Sequence, residues 1–268
     1  VYLPHVRRSA VQLLDSGLSY SAVARRTGIN RSTLREWFLH RDLIEKYQNL
    51  GSCVRCEPIS RLPEPQIRYS YLLGLYLGDG CISHAGNREK GVWALRIICA
   101  DAWPGLVQEC VSTLEAVLPG HQIGTIAKPG CCEVVARWKH WPCYFPQHGP
   151  GPKHVRPIEL APWQRDIVDR HPQPLVRGLF HSDGCRVTNR VRRQVAGTWK
   201  HYEYPRYFFT NTSRDILDLM GDTLDRLGVE WRIRWKKPAS DSHQPAGVIS
   251  VAEKRSVALL DSFIGPKH

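Results

Sequence analysis

The chain has 268 residues, and its 37 Lys and Arg against 25 Asp and Glu leave it at +12 with a pI near 9.4. That length allows a sizeable core and two or three compact units, and the basic excess favours a polyanionic partner without specifying a fold. No run approaches the ~18 apolar residues of a membrane span, the segment Val1–Ser9 lacks an apolar signal core, and nine Cys without a secretion signal argue for free thiols or metal ligands over disulfides, so a cytosolic protein with no membrane partner is expected.

Residues 10–40 read as three helices within a first unit at 1–48. Ala10–Ser16 forms the first, Ser19 caps a second that runs through Thr27, Gly28-Ile29-Asn30 turns the chain, and Arg31–His40 forms the third. Val23, Ile29, Leu34 and Trp37 sit where a three-helix cluster needs apolar groups, and Ala24 and Gly28 permit a tight crossing. This spacing resembles a helix-turn-helix of the bacterial repressor and transposase kind, whose last helix would present Arg31, Ser32, Thr33, Arg35 and Glu36 to the major groove. Eight basic and four acidic residues over 1–50 favour that role over a solvated helical bundle.

Residues 49–65 read as a linker holding Cys53-Val54-Arg55-Cys56 and then Pro58, Pro63 and Pro65. The CxxC has half the spacing of a zinc site. Its best complement is Cys143 and His148, which makes Cys53, Cys56, Cys143 and His148 a candidate structural Zn²⁺ set. Cys131, Cys132, His140 and His154 are weaker partners. The alternative is a pair of ordinary thiols, and a redox CxxC would need a βαβ context that is missing.

An internal repeat dominates the rest. Leu72-Leu73-Gly74-Leu75-Tyr76-Leu77-Gly78-Asp79-Gly80 recurs as Val176-Arg177-Gly178-Leu179-Phe180-His181-Ser182-Asp183-Gly184, each copy followed by a cysteine. Each reads as a short apolar helix ended by a glycine in the C′ position. Gly74 and Gly78, like Gly178 and Ser182, stand four apart on one face, which lets another backbone approach closely. Two such helices packed face to face would bring Asp79 and Asp183 together. A carboxylate there is opposed by the helix dipole and by its twin, a problem that a hard cation such as Mg²⁺ relieves. Asp-Gly can also simply end a helix in a turn, but duplication of the whole nonapeptide argues against so plain a reading.

After the first copy the pattern predicts a strand over Gly91–Cys99, a helix over Trp103–Leu118, and strands over Gln122–Ala127 and Glu133–Ala136. The second half follows in the same order, with a strand at Tyr204–Thr210, a helix at Ser213–Leu227, strands at Glu230–Trp235 and Val248–Val251, and a closing helix at Lys254–Ile264. The insertion Trp138–Trp163 is rich in Pro and Gly and reads as an ordered loop. Residues 185–210 carry a net +5. Alternation about Arg190-Val191-Arg192 suits a β-ribbon in a groove, offering Arg186, Arg190, Arg192, Arg193 and Lys200 to DNA. The shorter counterpart in the first half offers His84, Arg88, Lys90 and Arg96.

Over residues 66–265 the two signatures resemble the two-repeat, single-chain LAGLIDADG homing endonucleases. The resemblance implies an α+β architecture, a pseudo-twofold duplicated αββαββα fold with antiparallel saddle sheets, here preceded by the all-α helix-turn-helix. Half one would cover 66–163 and half two 164–268. It implies that Asp79 and Asp183 bind catalytic Mg²⁺ with the adjoining Gly78 and Ser182, and that one basic residue per half approaches the scissile phosphate. Lys139 and Lys254, leaving the last strands, are nominated, with Arg137 as a rival. The expected function is a site-specific, divalent-metal-dependent endonuclease of double-stranded DNA, monomeric because the pseudo-dimer lies within one chain. The alternatives are a non-cleaving transcriptional regulator that clamps DNA with both units, and an RNA maturase-like cofactor.

Overall fold

The computed structural model describes residues 4–39, 62–86, 91–236 and 244–267. The first unit consists of α1 (Pro4–Asp15), α2 (Tyr20–Thr27) and α3 (Arg31–Leu39). Helix α1 starts before Ala10 because Val6, Ala10 and Leu14 continue one apolar stripe at intervals of four, packed with Val23, Ile29 and Leu34. Ser19 Oγ accepts from Ala22 N at 3.2 Å, capping α2. Gly28, at φ +72°, ends it with its N–H on Ala24 O.

The remainder repeats one unit of helix, two strands, helix, two strands and helix. The first copy is α4 (Gln66–Asp79), β1 (Gly80–His84), β2 (Trp93–Ala100), α5 (Pro104–Val117), β3 (Ile123–Lys128) and β4 (Cys131–Trp138), closed by α7 (Pro162–Arg170). The second is α8 (Pro172–Asp183), β5 (Gly184–Val195), β6 (Thr198–Asn211), α9 (Arg214–Arg226), β7 (Arg232–Lys236), β8 (Ala246–Val251) and α10 (Lys254–Asp261). All strand pairs are antiparallel, and the sheets run β1-β2-β4-β3 and β5-β6-β8-β7. The duplicated αββαββα fold is therefore present as two matching four-stranded sheets. Helix α7 straddles residues 163 and 164, where the two halves were expected to divide.

One continuous core joins both copies, and α4 and α8 run through its middle. Their seam is backbone against backbone. A Cβ on Gly74 would stand 2.5 Å from Leu175 O, 2.8 Å from Leu179 N and 2.9 Å from Gly178 Cα. No side chain could be accommodated there without moving a helix.

Two local expectations are corrected. The insertion is not all loop: it contains the one-turn helix α6 (Trp141–Tyr144), a 3₁₀ turn at Lys153–Val155 and the start of α7. Buried aromatics explain this, since Trp141 and Phe145 pack into the core and Trp141 Nε1 donates to Ala136 O at 2.9 Å. The glycines after the two acids are extended, at φ −88° and −106°, and are not left-handed. Space dictates them instead. A Cβ on Gly80 would lie 2.5 Å from Tyr76 Cα, and one on Gly184 would lie 2.7 Å from Phe180 Cα. Each helix thus turns directly into a strand.

Candidate functional site

Because α4 and α8 touch along their glycine faces, their C-terminal ends bring Asp79 and Asp183 side by side. Gly78 completes this approach, since a Cβ there would clash with Ser182 Oγ and stand 3.2 Å from Asp183 Oδ2. Asp183 Oδ2 accepts from Asn211 Nδ2 at 2.7 Å, and Asn211 Oδ1 accepts from Ser213 N at 2.8 Å, so β6 orients this acid. Asp79 is exposed by surface area, yet protein atoms crowd one side of its carboxylate. That enclosure, and then the neighbouring Asp183, push its carboxyl up to about 6. Enclosure also raises Asp183, against the hydrogen bond from Asn211.

Two lysines flank the pair. Lys153 Nζ donates to Gly78 O at 2.7 Å, and Lys267 Nζ donates to Gly184 O at 2.7 Å and Ser182 O at 3.2 Å. Both favour the charged forms of Asp79 and Asp183. Burial, and next the Arg156 charge, pull Lys153 down to about 8, and burial lowers Lys267 as well. Each lysine opens onto a cleft. The cleft of about 320 Å³ beside Lys153 is lined by Gly78, Asp183, Thr210 and Asn211, and the one of about 480 Å³ beside Lys267 by His181, Arg186, Tyr207 and Asp261.

Buried hydrogen bonds hold both lysine segments in place. Arg156 Nε donates to Gln147 O at 3.1 Å, and Gln147 Nε2 donates to Gln164 Oε1 at 2.6 Å. Gln164 Nε2 reaches the Tyr69 hydroxyl of α4 at 2.7 Å. On the other side Ile264 O accepts from Arg177 Nε and faces His181 Nε2, both at 2.9 Å, while His181 Nδ1 lies 2.8 Å from the Tyr71 hydroxyl.

Lys139 and Lys254 follow the last strand of each half, as expected, and both lie at the surface. Lys139 is exposed in the turn after β4, and Lys254 is the exposed first residue of α10, which Glu253 caps. Neither acts on the two carboxylates; Arg137 is also exposed on β4. The sequence also held a signal for the two lysines at the helix ends. Gly-Pro-Lys-His occurs at 151–154 and again at 265–268, a second duplicated element with one lysine per half.

Strand alternation sorts the basic residues into two faces. In the second half Tyr207, Phe209, Ile249 and Val251 point into the core. The opposite face carries Arg206, Arg232, Arg234 and Lys236, with Arg193 directly across from Lys200. Arg186, Arg190 and Arg192 alternate with these and point the other way. Arg186 Nε and Nη2 bind the two Asp261 oxygens at 2.7 and 2.8 Å, Arg190 pairs with Glu203 at 2.9 Å, and Arg192 stacks 4.1 Å over Trp199. The Arg-Ile-Arg-Trp-Lys alternation over 232–236 is the sequence signal of this basic face. Before residue 207, where pairing with β8 begins, β5 and β6 form a two-stranded ribbon over 187–206. At ~3.3 Å per residue it extends roughly 30 Å.

In the first half Arg96 lies on the corresponding open face, held by Glu133 at 2.9 Å and by Ser83, and Lys128 also pairs with Glu133. His84 is stacked 3.7 Å from the Trp93 ring. Arg88 and Lys90 lie outside the described residues. On α3, Arg31, Ser32 and Arg35 are exposed and Thr33 is half-buried.

Of the zinc candidates, Cys143 and His148 are buried in the first half, and Cys53 and Cys56 lie outside the described residues. Among the described residues no three His, Cys, Asp or Glu side chains are grouped to hold a metal. His148 is nevertheless unusual. Both ring nitrogens are buried without a hydrogen-bond partner, and burial, with Arg156 and His84, pulls its pKa down to about 4.

Comparison with known proteins adds the following. The family model described as a homeodomain-like domain matches residues 6–42. No curated protein matches the chain. Among solved structures, the homing endonuclease I-DmoI in complex with DNA and Mn is 14% identical, covering 75% of this chain and 98% of that one with a TM-score of 0.47. The N-terminal LAGLIDADG domain of DUF199/WhiA is 10% identical over 84% of this chain and 90% of that one, with a TM-score of 0.44. Full-length DUF199/WhiA from Thermatoga maritima is 12% identical over 82% and 60%, with a TM-score of 0.43. No helix among the described residues is long and apolar enough to cross a membrane. The chain thus joins a three-helix unit, matched by the homeodomain-like model over residues 6–42, to a duplicated αββαββα fold.

Proposed function

We propose that this chain is a sequence-specific binder of duplex DNA whose paired acids form a divalent-metal-dependent phosphodiester hydrolase centre. The observation that carries the reading is the duplicated chemistry: each signature helix ends in an aspartate, and each has a lysine on the carbonyl beside that aspartate. One acid and one base per half is the composition expected of a centre that acts once on each strand. The donor set suits a hard cation, since two carboxylates stand side by side and burial, then Asp183, raises one carboxyl to about 6. A Mg²⁺ held by Asp79 and Asp183 would supply Lewis-acid stabilisation of phosphate charge. Lys153 and Lys267 supply fixed positive charge at the same place, replacing Lys139 and Lys254 in the proposed roles. Arg193, Lys200, Arg206, Arg232, Arg234 and Lys236 would contact the duplex from the open face, and α3 would read a second segment in the major groove.

A test is capture of random duplexes on the protein in Ca²⁺, followed by a shift to Mg²⁺ and a denaturing gel. Cuts at fixed positions, absent in Asp79→Asn and Asp183→Asn, support the reading. An enriched motif that stays intact in Mg²⁺ and Mn²⁺ supports the second reading, a regulator that clamps DNA without cutting. That alternative is favoured by the two lysines, which already balance both acids. Enrichment of no duplex would point to RNA. A structural Zn²⁺ on Cys53, Cys56, Cys143 and His148 is a further part of the proposal, supported by the two unpartnered nitrogens of His148. Elemental analysis of the purified protein giving less than stoichiometric zinc would refute it.

A further inference from the structure

The carbonyls beside the two acids are already occupied. Gly78 O accepts from Lys153 Nζ and Ser182 O from Lys267 Nζ, and these two residues adjoin the proposed metal-binding carboxylates. An ammonium has three donors and no acceptor, so each lysine can hold a carbonyl and still direct charge at the acids. The two lysines act across the seam as well as within their own halves. Lys153 lines the same cleft as Asp183 of the other half, and Lys267 holds the carbonyls on either side of Asp183. Two carboxylates and two ammonium groups make a neutral set before any ion enters.

A lysine at a helix C-terminus is commonly only a cap, satisfying a last carbonyl and opposing the dipole. Three features exceed that role. The lysines come from the same tetrapeptide, Gly-Pro-Lys-His, at 151–154 and 265–268. Separate buried networks through Arg156 and through Arg177 and His181 fix their segments. Finally, a hard divalent ion would seek the same oxygens that the ammonium groups occupy.

We propose that Lys153 and Lys267 are built-in counter-cations of the acid pair, which they hold together without metal and for which they compete against an entering divalent ion. The inference rests on the reading that Asp79 and Asp183 take such an ion. It makes the centre self-supporting when empty, and it makes metal entry require the retreat of an ammonium group. Two cations drawn to one set of oxygens repel each other.

The test is calorimetric titration of Ca²⁺ into the full chain and into Lys153→Met, Lys267→Met and the double variant, with thermal unfolding in EDTA and in Ca²⁺. Each lysine removed should tighten Ca²⁺ binding by about tenfold, the scale of one charge contact in partly screened surroundings. The variants should lose thermal stability in EDTA and recover it in Ca²⁺. Equal or weaker Ca²⁺ binding by the variants, with binding by the parent intact, would overturn this proposal alone. Failure of the parent and every variant to bind Ca²⁺ would overturn the metal reading with it. Should the methionine variants not fold, lysine Nζ and ¹³Cε resonances of the parent give the answer. Both lysines should shift as Ca²⁺ binds, and Ca²⁺ binding that leaves them unmoved would refute the competition.

Discussion

Gly74→Ala is the sharpest test of the helix seam on which the whole site depends. Its Cβ would meet only backbone atoms of α8, at 2.5 Å from Leu175 O, 2.8 Å from Leu179 N and 2.9 Å from Gly178 Cα. Ordinary contact begins near 3.5 Å, so the facing helix must recede by roughly 1 Å. Overpacking of this kind costs about 1–3 kcal/mol when side chains can adjust. Here the obstacle is a helix backbone, so the upper end applies, offset by the ~1 kcal/mol that alanine gains over glycine in a helix. The net loss is about 2 kcal/mol, or ~4–8 °C in Tm for a unit of this size. The control is Gly124→Ala on β3, where the nearest atom to the new Cβ is Val135 O at 3.8 Å. Calorimetry in EDTA should show a large drop for Gly74→Ala and little change for Gly124→Ala. A Gly74→Ala protein as stable as the parent would refute the close-packed seam, and with it the argument that glycine spacing sets the distance between the acids.

Other consequences concern charge. Asp79 has its folded-state carboxyl raised above the unfolded value of 3.8, so its ionised form weighs against folding above pH 6, and this penalty fades as pH falls toward 3.8. Asp79→Asn should therefore raise Tm in EDTA at pH 7.5, with a gain that shrinks between pH 6 and 4. A gain independent of pH would rule out the titration as its cause. His181 is the opposite case, with its pKa pulled down to about 4 by burial, so the unfolded chain takes up a proton that the folded one refuses. Stability should fall as pH drops from about 6.5 to 4, and His181→Gln should flatten that slope in urea titrations. On the ribbon, Arg193→Ala and Lys200→Ala should each lower the salt dependence of DNA binding by about one unit of log–log slope. Arg186→Ala, which leaves Asp261 with only the Tyr207 hydroxyl of its two partners, should reduce Tm and leave that slope unchanged. The reverse pattern in filter binding would mean that the ribbon presents its other face.

Local order was readable from the sequence wherever short-range pattern decides structure. Ser19, Gly28 and the apolar spacing of Val23, Ile29 and Leu34 marked the three N-terminal helices. The nonapeptide repeat marked α4 and α8, and the glycines in it marked their contact. The acids could be paired because residues at matching positions of a repeat take matching places about a pseudo-twofold axis. Lys153 and Lys267 were not picked out because no short-range pattern ties them to the signature helices. Lys153 and Lys267 lie far along the chain from the signature-helix ends whose carbonyls they hold, and the duplicated Gly-Pro-Lys-His was the sequence trace of that meeting. The ribbon arginines were legible as a basic cluster but not as two faces. A one-residue change of register reverses every side chain, and register is set by pairing with β6 and β8.

The sequence by itself determined the kinds and order of elements, the duplication and the identity of the two acids, because periodicity, caps and repeats are properties of neighbours along a chain. Only the tertiary structure decided which cations answer those acids, which arginines are spent on Asp261, Glu203 and Trp199, and how close the helices come. Those outcomes depend on contacts between residues tens of positions apart, where packing and exclusion of water select one partner among many that composition would allow.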